Sequence, residues 1–297
     1  MNKKLYWILT FLIAVLTSCV ESAPEEDLLA DETPIVKSKT INANAIKETL
    51  RSIPSPIETT NSIERSGASC DVNLLNDVDN IEQYQSTYQK AINLGVYGTD
   101  LGYLNLYNKT VTSFEYLDNI RKLSDDLKIG QFFDFATIKR LASNKSNIDS
   151  IINISSSGFE NMNNYLAEQK RENISTLILV GGWFESVYLL GEIAKTTNNK
   201  DLIEKIGEQK VTLGQIILLL EMYKDNEKYG SLYEKVKKLN ISFDKVKLNY
   251  IYEEPETKEV NGILVVVDKS RNDIEVTPEV FEEILLNVKE IRSELIK

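Results

Sequence analysis

Two carboxylates set among aromatic rings are the residues in this chain with the most chemistry to offer. Asp100 lies among Tyr97, Tyr103 and Tyr107, and Glu185 lies among Trp183 and Tyr188. Each group sits beside glycines at close spacing: Gly95, Gly98 and Gly102 in one, Gly181, Gly182 and Gly191 in the other. A glycine inside a helix costs about 1 kcal/mol relative to alanine, so something must offset it. Close approach of the two glycine-bearing helices is the natural gain, and it would bring both carboxylates and their rings together. Three kinds of chemistry then compete. A satisfied polar network that fixes helix register is the preferred reading, because a buried carboxylate must be hydrogen-bonded or protonated and tyrosine hydroxyls can donate. A pocket for a small polar or cationic ligand, built from Tyr97, Asp100, Tyr103, Trp183, Glu185 and Tyr188, is the sharper one. Acid–base catalysis by Asp100 and Glu185 comes last, since paired carboxylates work only at set separations.

The rest of the sequence narrows the field by what it lacks. Histidine is absent, which removes His-dependent triads and His-based metal sites. No stretch has the spacing of a phosphate loop or a calcium loop, and nothing calls for a cofactor or metal. Acidic side chains outnumber basic ones, 45 to 34, for a net charge of −11. That surface repels phosphate backbones, so nucleic acid is not an expected partner. Cys70 has no Lys, Arg or His among its neighbours to lower its pKa, and it is read as an inert thiol.

The other cysteine has a different setting. Lys3 and Lys4 precede an apolar run from Leu5 to Leu16, the pattern of a secretory signal and too short to span a bilayer. It ends in Leu16-Thr17-Ser18-Cys19, which resembles the lipobox cut by the lipoprotein signal peptidase. The resemblance implies cleavage of residues 1–18, acyl chains on Cys19 and stable attachment to a bacterial membrane. Residues 19–41 read as a flexible acidic tether. Val20 rather than aspartate after the cysteine favours the outer membrane, on a face left open between periplasm and surface.

The elements that would position the carboxylates are helical. From about residue 42 apolar positions recur at three and four, so residues 42–297 are expected to be one all-α domain, a multi-helix bundle or α-array. A first helix over 43–53 should stop at Pro54 and Pro56, leaving irregular chain to about Asp77. Residues 80–127 carry a single apolar face, either as one long helix or as two joined near Gly95. Further helices are expected at 135–143, 147–169, 172–196, 200–224, 227–246 and 278–296, the last with Thr277 as its cap and Pro278 in its first turn. Between 243 and 276 the period shifts, and Ile263 to Val267 is β-branched. A small β-hairpin insertion before the C-terminal helix is expected there. Residues 174–193 are apolar almost all round, which fits a buried central helix.

The segments Ala91–Tyr103 and Gly181–Ser186 give the body, over roughly residues 50–297, a resemblance to helical lipoproteins of Bacteroidota. That group brings no assigned activity with it. The expectation is a non-enzymatic envelope lipoprotein that binds a protein partner or a small ligand. A structural subunit of an envelope complex and a carboxylate- and tyrosine-based hydrolase are the alternatives.

Overall fold

A computed structural model describes residues 43–142, 148–260, 263–267 and 270–297. The leader, Cys19 and the tether lie outside the described residues. Those described form ten α-helices: α1 Ala43–Ser52, α2 Pro56–Arg65, α3 Thr87–Leu106, α4 Thr110–Asp126, α5 Phe135–Ala142, α6 Ile148–Glu168, α7 Glu172–Thr197, α8 Lys200–Glu221, α9 Glu227–Asp244 and α10 Pro278–Leu295. Four short strands, β1 Lys247–Ile251, β2 Glu256–Val260, β3 Ile263–Val267 and β4 Arg271–Glu275, lie between α9 and α10. The protein is all-α with a small β insertion before its last helix.

The sequence that is apolar on every side becomes the centre. α7 is long and apolar enough to cross a bilayer, yet nearly all of its apolar window is covered by the surrounding protein. Such a helix has no face suited to water, and α2, α3, α8 and α10 all pack on it. The described residues form one compact unit around this core.

Capping sets where the surrounding helices begin. Ser86 and Gln89 make a reciprocal capping box at the start of α3. Asn199 and Asn226 accept from the first backbone amides of α8 and α9. Thr277 Oγ1 accepts from Val280 N, with Pro278 in the first turn of α10. The C-terminal end of α10 is then held against α3, where Asn93 Nδ2 donates to Leu295 O at 2.9 Å. Tyr84 O–H donates to Ile296 O just beyond it.

Three boundaries differ from the sequence reading: the helical signal from residue 80 opens as a 3-10 stretch over Val78–Gln83, and the α-helix itself begins only at Thr87 behind Ser86. The long signal over 80–127 does break, but at Tyr107–Lys109 rather than near Gly95. Asn108 takes a left-handed conformation there (φ 56°), which asparagine tolerates, whereas Gly95 lies in uninterrupted helix against α7. Pro56 likewise opens α2 instead of prolonging irregular chain, because its missing N–H is no loss in a first turn.

The insertion is a ribbon of two antiparallel ladders. β1 pairs with β4, Asn249 opposite Asp273, and β2 pairs with β3, Lys258 opposite Val265. Ile274 and Val276 reach Gly207 of α8, which anchors the base of the ribbon. Tyr250, Tyr252, Leu264 and Val266 stand largely exposed along it.

Candidate functional site

The glycines bring α3 and α7 into backbone contact. A Cβ at Gly95 would stand 1.9 Å from Ile178 O, and one at Gly181 would stand 2.0 Å from Ile92 O. Thr99 Oγ1 bridges the crossing, with Gly95 O at 3.1 Å and Gly182 O at 3.2 Å. Gly191 belongs to a different contact, against Leu285 of α10.

On one side of this crossing lies a buried ionic cluster. Glu185 has no exposed surface, and Arg292 from α10 reaches it with two donors, Nε to Oε2 at 2.6 Å and Nη2 to Oε1 at 2.7 Å. The same Nη2 donates to Leu74 O, and the guanidinium lies over the ring of Tyr188, 4.0 Å from its centroid. Asp100, also fully buried, accepts from Asn76 N through Oδ2, and its Oδ1 has no hydrogen-bond partner among the described residues. Burial first, and the neighbouring Glu185 charge second, hold the Asp100 carboxyl well above the usual carboxylate range, with Arg292 opposing them. Burial works against the charge of Arg292, but Glu185 outweighs it and the guanidinium is held more firmly protonated than usual. The cluster is therefore one ion pair with a carboxyl beside it that burial and the Glu185 charge push toward its neutral form.

The raised Asp100 gives a pH dependence with a definite sign. In the unfolded chain its carboxyl titrates near 3.9, and in the folded protein it keeps its proton to higher pH. Between those two values folding takes up a proton. The contribution of Asp100 to stability is fully present below the unfolded value and is lost as pH rises through the window, by at most about 1.4 kcal/mol per pH unit. Asp100→Asn keeps an acceptor for Asn76 N and has no proton to bind. Urea unfolding at pH 4.5 and at pH 8 should show the variant gaining on the wild type as pH rises. Parallel stability profiles would remove the neutral acid from the cluster.

The remaining sequence candidates are partnered elsewhere. Tyr97 O–H donates to Asp77 O at 2.8 Å within a group of rings that includes Tyr84 and Tyr116. Tyr103 accepts from Asp71 N at 2.9 Å and packs edge-on against Tyr107. Burial pushes both hydroxyls well above the ordinary tyrosine value. Trp183 Nε1 donates to Gln209 Oε1 at 3.0 Å, toward α8. So the structure joins Glu185 and Tyr188 through Arg292, with Asp100 near enough for both charges to act on it, while Tyr97 and Tyr103 face the 71–84 segment. Cys70 lies beside Tyr103, and burial raises its thiol, which leaves it protonated and a poor nucleophile.

On the other side of α3 and α7 is a cavity of about 450 Å³, within the range of small-molecule sites. Its floor is the α3 face bearing Gly95, Gly98 and Gly102, beside Ile178 and Gly182 of α7. Nothing stands within 4 Å of where a Cβ at Gly98 would be, so this glycine serves the cavity rather than helix contact. α1 supplies Ile46 and Leu50 to the walls, while Ile138, Phe159 and Met162 come from α5 and α6. The lining is mostly apolar, but Lys47 and Arg51 of α1, Glu58 of α2, Glu160, Asn163 and Asn164 of α6 and Glu172 and Ser175 of α7 also contribute to it. None of the six sequence candidates lines it.

Two signals for these groups were available in the sequence. Arg292 falls in register with Phe281, Ile284, Leu285 and Val288, on the buried stripe of α10, where a charge needs a partner. Ser175 stands in a segment that is apolar almost all round. Among the described residues no group of three or more acidic or thiol side chains is placed to hold a metal. No protein-family model matches the chain, and neither the curated proteins nor the solved structures give a significant match.

Proposed function

We propose that this chain is a non-enzymatic lipoprotein of the bacterial envelope, anchored through acyl chains on Cys19, whose helical body holds an apolar small ligand in the cavity beside the α3–α7 crossing. The observation that carries the reading is the cavity floor. A helix that spends glycine at position 98 and places no atom against it gives up helix stability to keep space open. A hydrolase built on Asp100 and Glu185 has less support, because both carboxylates are sealed from solvent and Glu185 is bound by Arg292. The lipid anchor rests on the Leu16–Cys19 motif and its leader.

The test uses full-length protein purified from its own membranes. Mass spectrometry should find an acylated cysteine as the first residue, and organic extraction should release an apolar compound in near-stoichiometric amount. Gly98→Leu places a side chain in the cavity on a helix that tolerates it. That variant should fold at least as stably as the wild type and carry under about a tenth of the compound, given that a blocked apolar site forfeits several kcal/mol of burial. Equal loading of the two proteins would end the cavity reading, and an unmodified Cys19 would end the anchor.

A further inference from the structure

α1 differs from the other cavity walls in what secures it. The apolar side chains Ile46 and Leu50, which it buries, both line the cavity, and so does Ile53 just beyond its end. Much of its inner face is thus turned to the cavity rather than spent on close packing. The Arg51–Glu160 ion pair with α6 and a hydrogen bond from Gln215 Nε2 of α8 to Ser52 Oγ fasten its outer side, and both are exposed. Exposed ion pairs add little net stability. α2 is held differently: Pro56 Cγ lies 2.9 Å from where a Cβ at Gly182 would be, and Thr60 and Ile63 are fully buried. Between the two helices stands Ile53-Pro54-Ser55, a natural hinge because the residue before a proline leaves the helical region.

The position of α1 along the chain adds a second argument. Residues 20–42 separate it from Cys19. A coil of that length averages about 25–30 Å end to end, so an acyl anchor at Cys19 keeps the start of α1 beside the bilayer. Swinging α1 outward in water would expose Ile46, Leu50 and Ile53 at a hydrophobic cost. Against a bilayer the same side chains meet acyl chains instead, with Lys47 and Arg51 at the level of the head groups.

We infer that α1 is a movable wall hinged over residues 53–55, and that the cavity exchanges its ligand, an apolar lipid of the bilayer, with the membrane through it. The inference rests on the cavity being a ligand site and on the anchor at Cys19, and it adds the source of the ligand and its route. The bilayer supplies both the lipid and the surface on which the wall opens.

The test uses full-length protein, its acylation confirmed by mass spectrometry, in vesicles of phosphatidylethanolamine and phosphatidylglycerol, with pyrene as the probe. Trp183 is the tryptophan left once the leader is removed, and it adjoins Gly182 of the cavity floor, so energy transfer from it to pyrene reports uptake. Arg51→Cys with Glu160→Cys, in a Cys70→Ser background and bridged by a dithiobismaleimide that reduction cleaves, locks α1 to α6. After pyrene is added, the locked protein should load at least tenfold more slowly than the same protein with the bridge cleaved. Gly98→Leu should show only the transfer that pyrene in the bilayer gives. Lengthening the 20–42 segment about fourfold with Gly-Ser repeats should slow loading about eightfold, because local concentration falls as roughly the −3/2 power of tether length. Circular dichroism melts confirm that each variant folds. Equal rates with and without the bridge would overturn the movable wall, and a rate unaffected by tether length would overturn exchange with the bilayer; either result leaves the cavity a ligand site. Transfer in the wild type no greater than in Gly98→Leu would overturn the cavity reading itself.

Discussion

Arg292→Ala is expected to lower the free energy of unfolding by about 3–5 kcal/mol, the range for breaking a buried ion pair from one side. The substitution removes the cation that Glu185 contacts among the described residues, 2.6 and 2.7 Å away, and it strips Leu74 O of a donor. It also takes the guanidinium from the face of Tyr188. Glu185 is then left with neither its guanidinium partner nor solvent to turn to. Removing both charges together, as Glu185→Leu with Arg292→Leu, should cost less than Arg292→Ala alone, since apolar replacement of a buried pair is often close to neutral. Urea titrations followed by circular dichroism measure both, with the single leucine variants alongside. A loss under about 1 kcal/mol for Arg292→Ala, or a double variant worse than the sum of its parts, would show that the pair does not organise the core.

That result would also locate where sequence reading stopped. The periodicity of apolar residues made the helices legible, since burial of one face is the main thing an amphipathic helix must achieve. It placed α7 in the core and α10 behind Thr277 and Pro278. It missed the α3–α4 break because a left-handed asparagine at 108 leaves no trace in the apolar period. It read Pro56 as a stop because a proline marks an ending and an opening equally well. At the site, the spacing of Gly95, Gly98 and Gly102 signalled something that offset their cost, and a single cause was assigned to all three. The structure divides them: Gly95 meets the backbone of α7, while Gly98 faces a cavity. Only three-dimensional placement separates these, because consecutive turns of one helix can face a neighbour and a void. Asp100 and Glu185 were legible as buried carboxylates, but their partner Arg292 lies over a hundred residues beyond Glu185 in sequence.

The same division predicts opposite signs for one substitution made one turn apart. Gly95→Ala should destabilise the protein by about 3 kcal/mol or more, at the upper end of what overpacking costs. The new methyl would lie 1.9 Å from Ile178 O, 2.7 Å from Gly182 N and 2.9 Å from Ile178 C. All three are backbone atoms of a helix packed on its other sides by α2, α8 and α10, so no side-chain rotation relieves the clash and α3 must move away from α7 as a body. The move also opens the Thr99 bridge to Gly182 O. Gly98→Ala meets no atom within 4 Å and should stabilise α3 by up to about 1 kcal/mol, the helix propensity of alanine over glycine. Gly181→Ala, 2.0 Å from Ile92 O, should match Gly95→Ala. Since either methyl forces the same helices apart, the two together should cost clearly less than their sum. Thermal and urea unfolding of the four variants measures this directly. The decisive comparison is between positions 95 and 98: if both alanines shift stability in the same direction by similar amounts, backbone contact does not set the distance between α3 and α7, and the glycine floor of the cavity loses its structural basis.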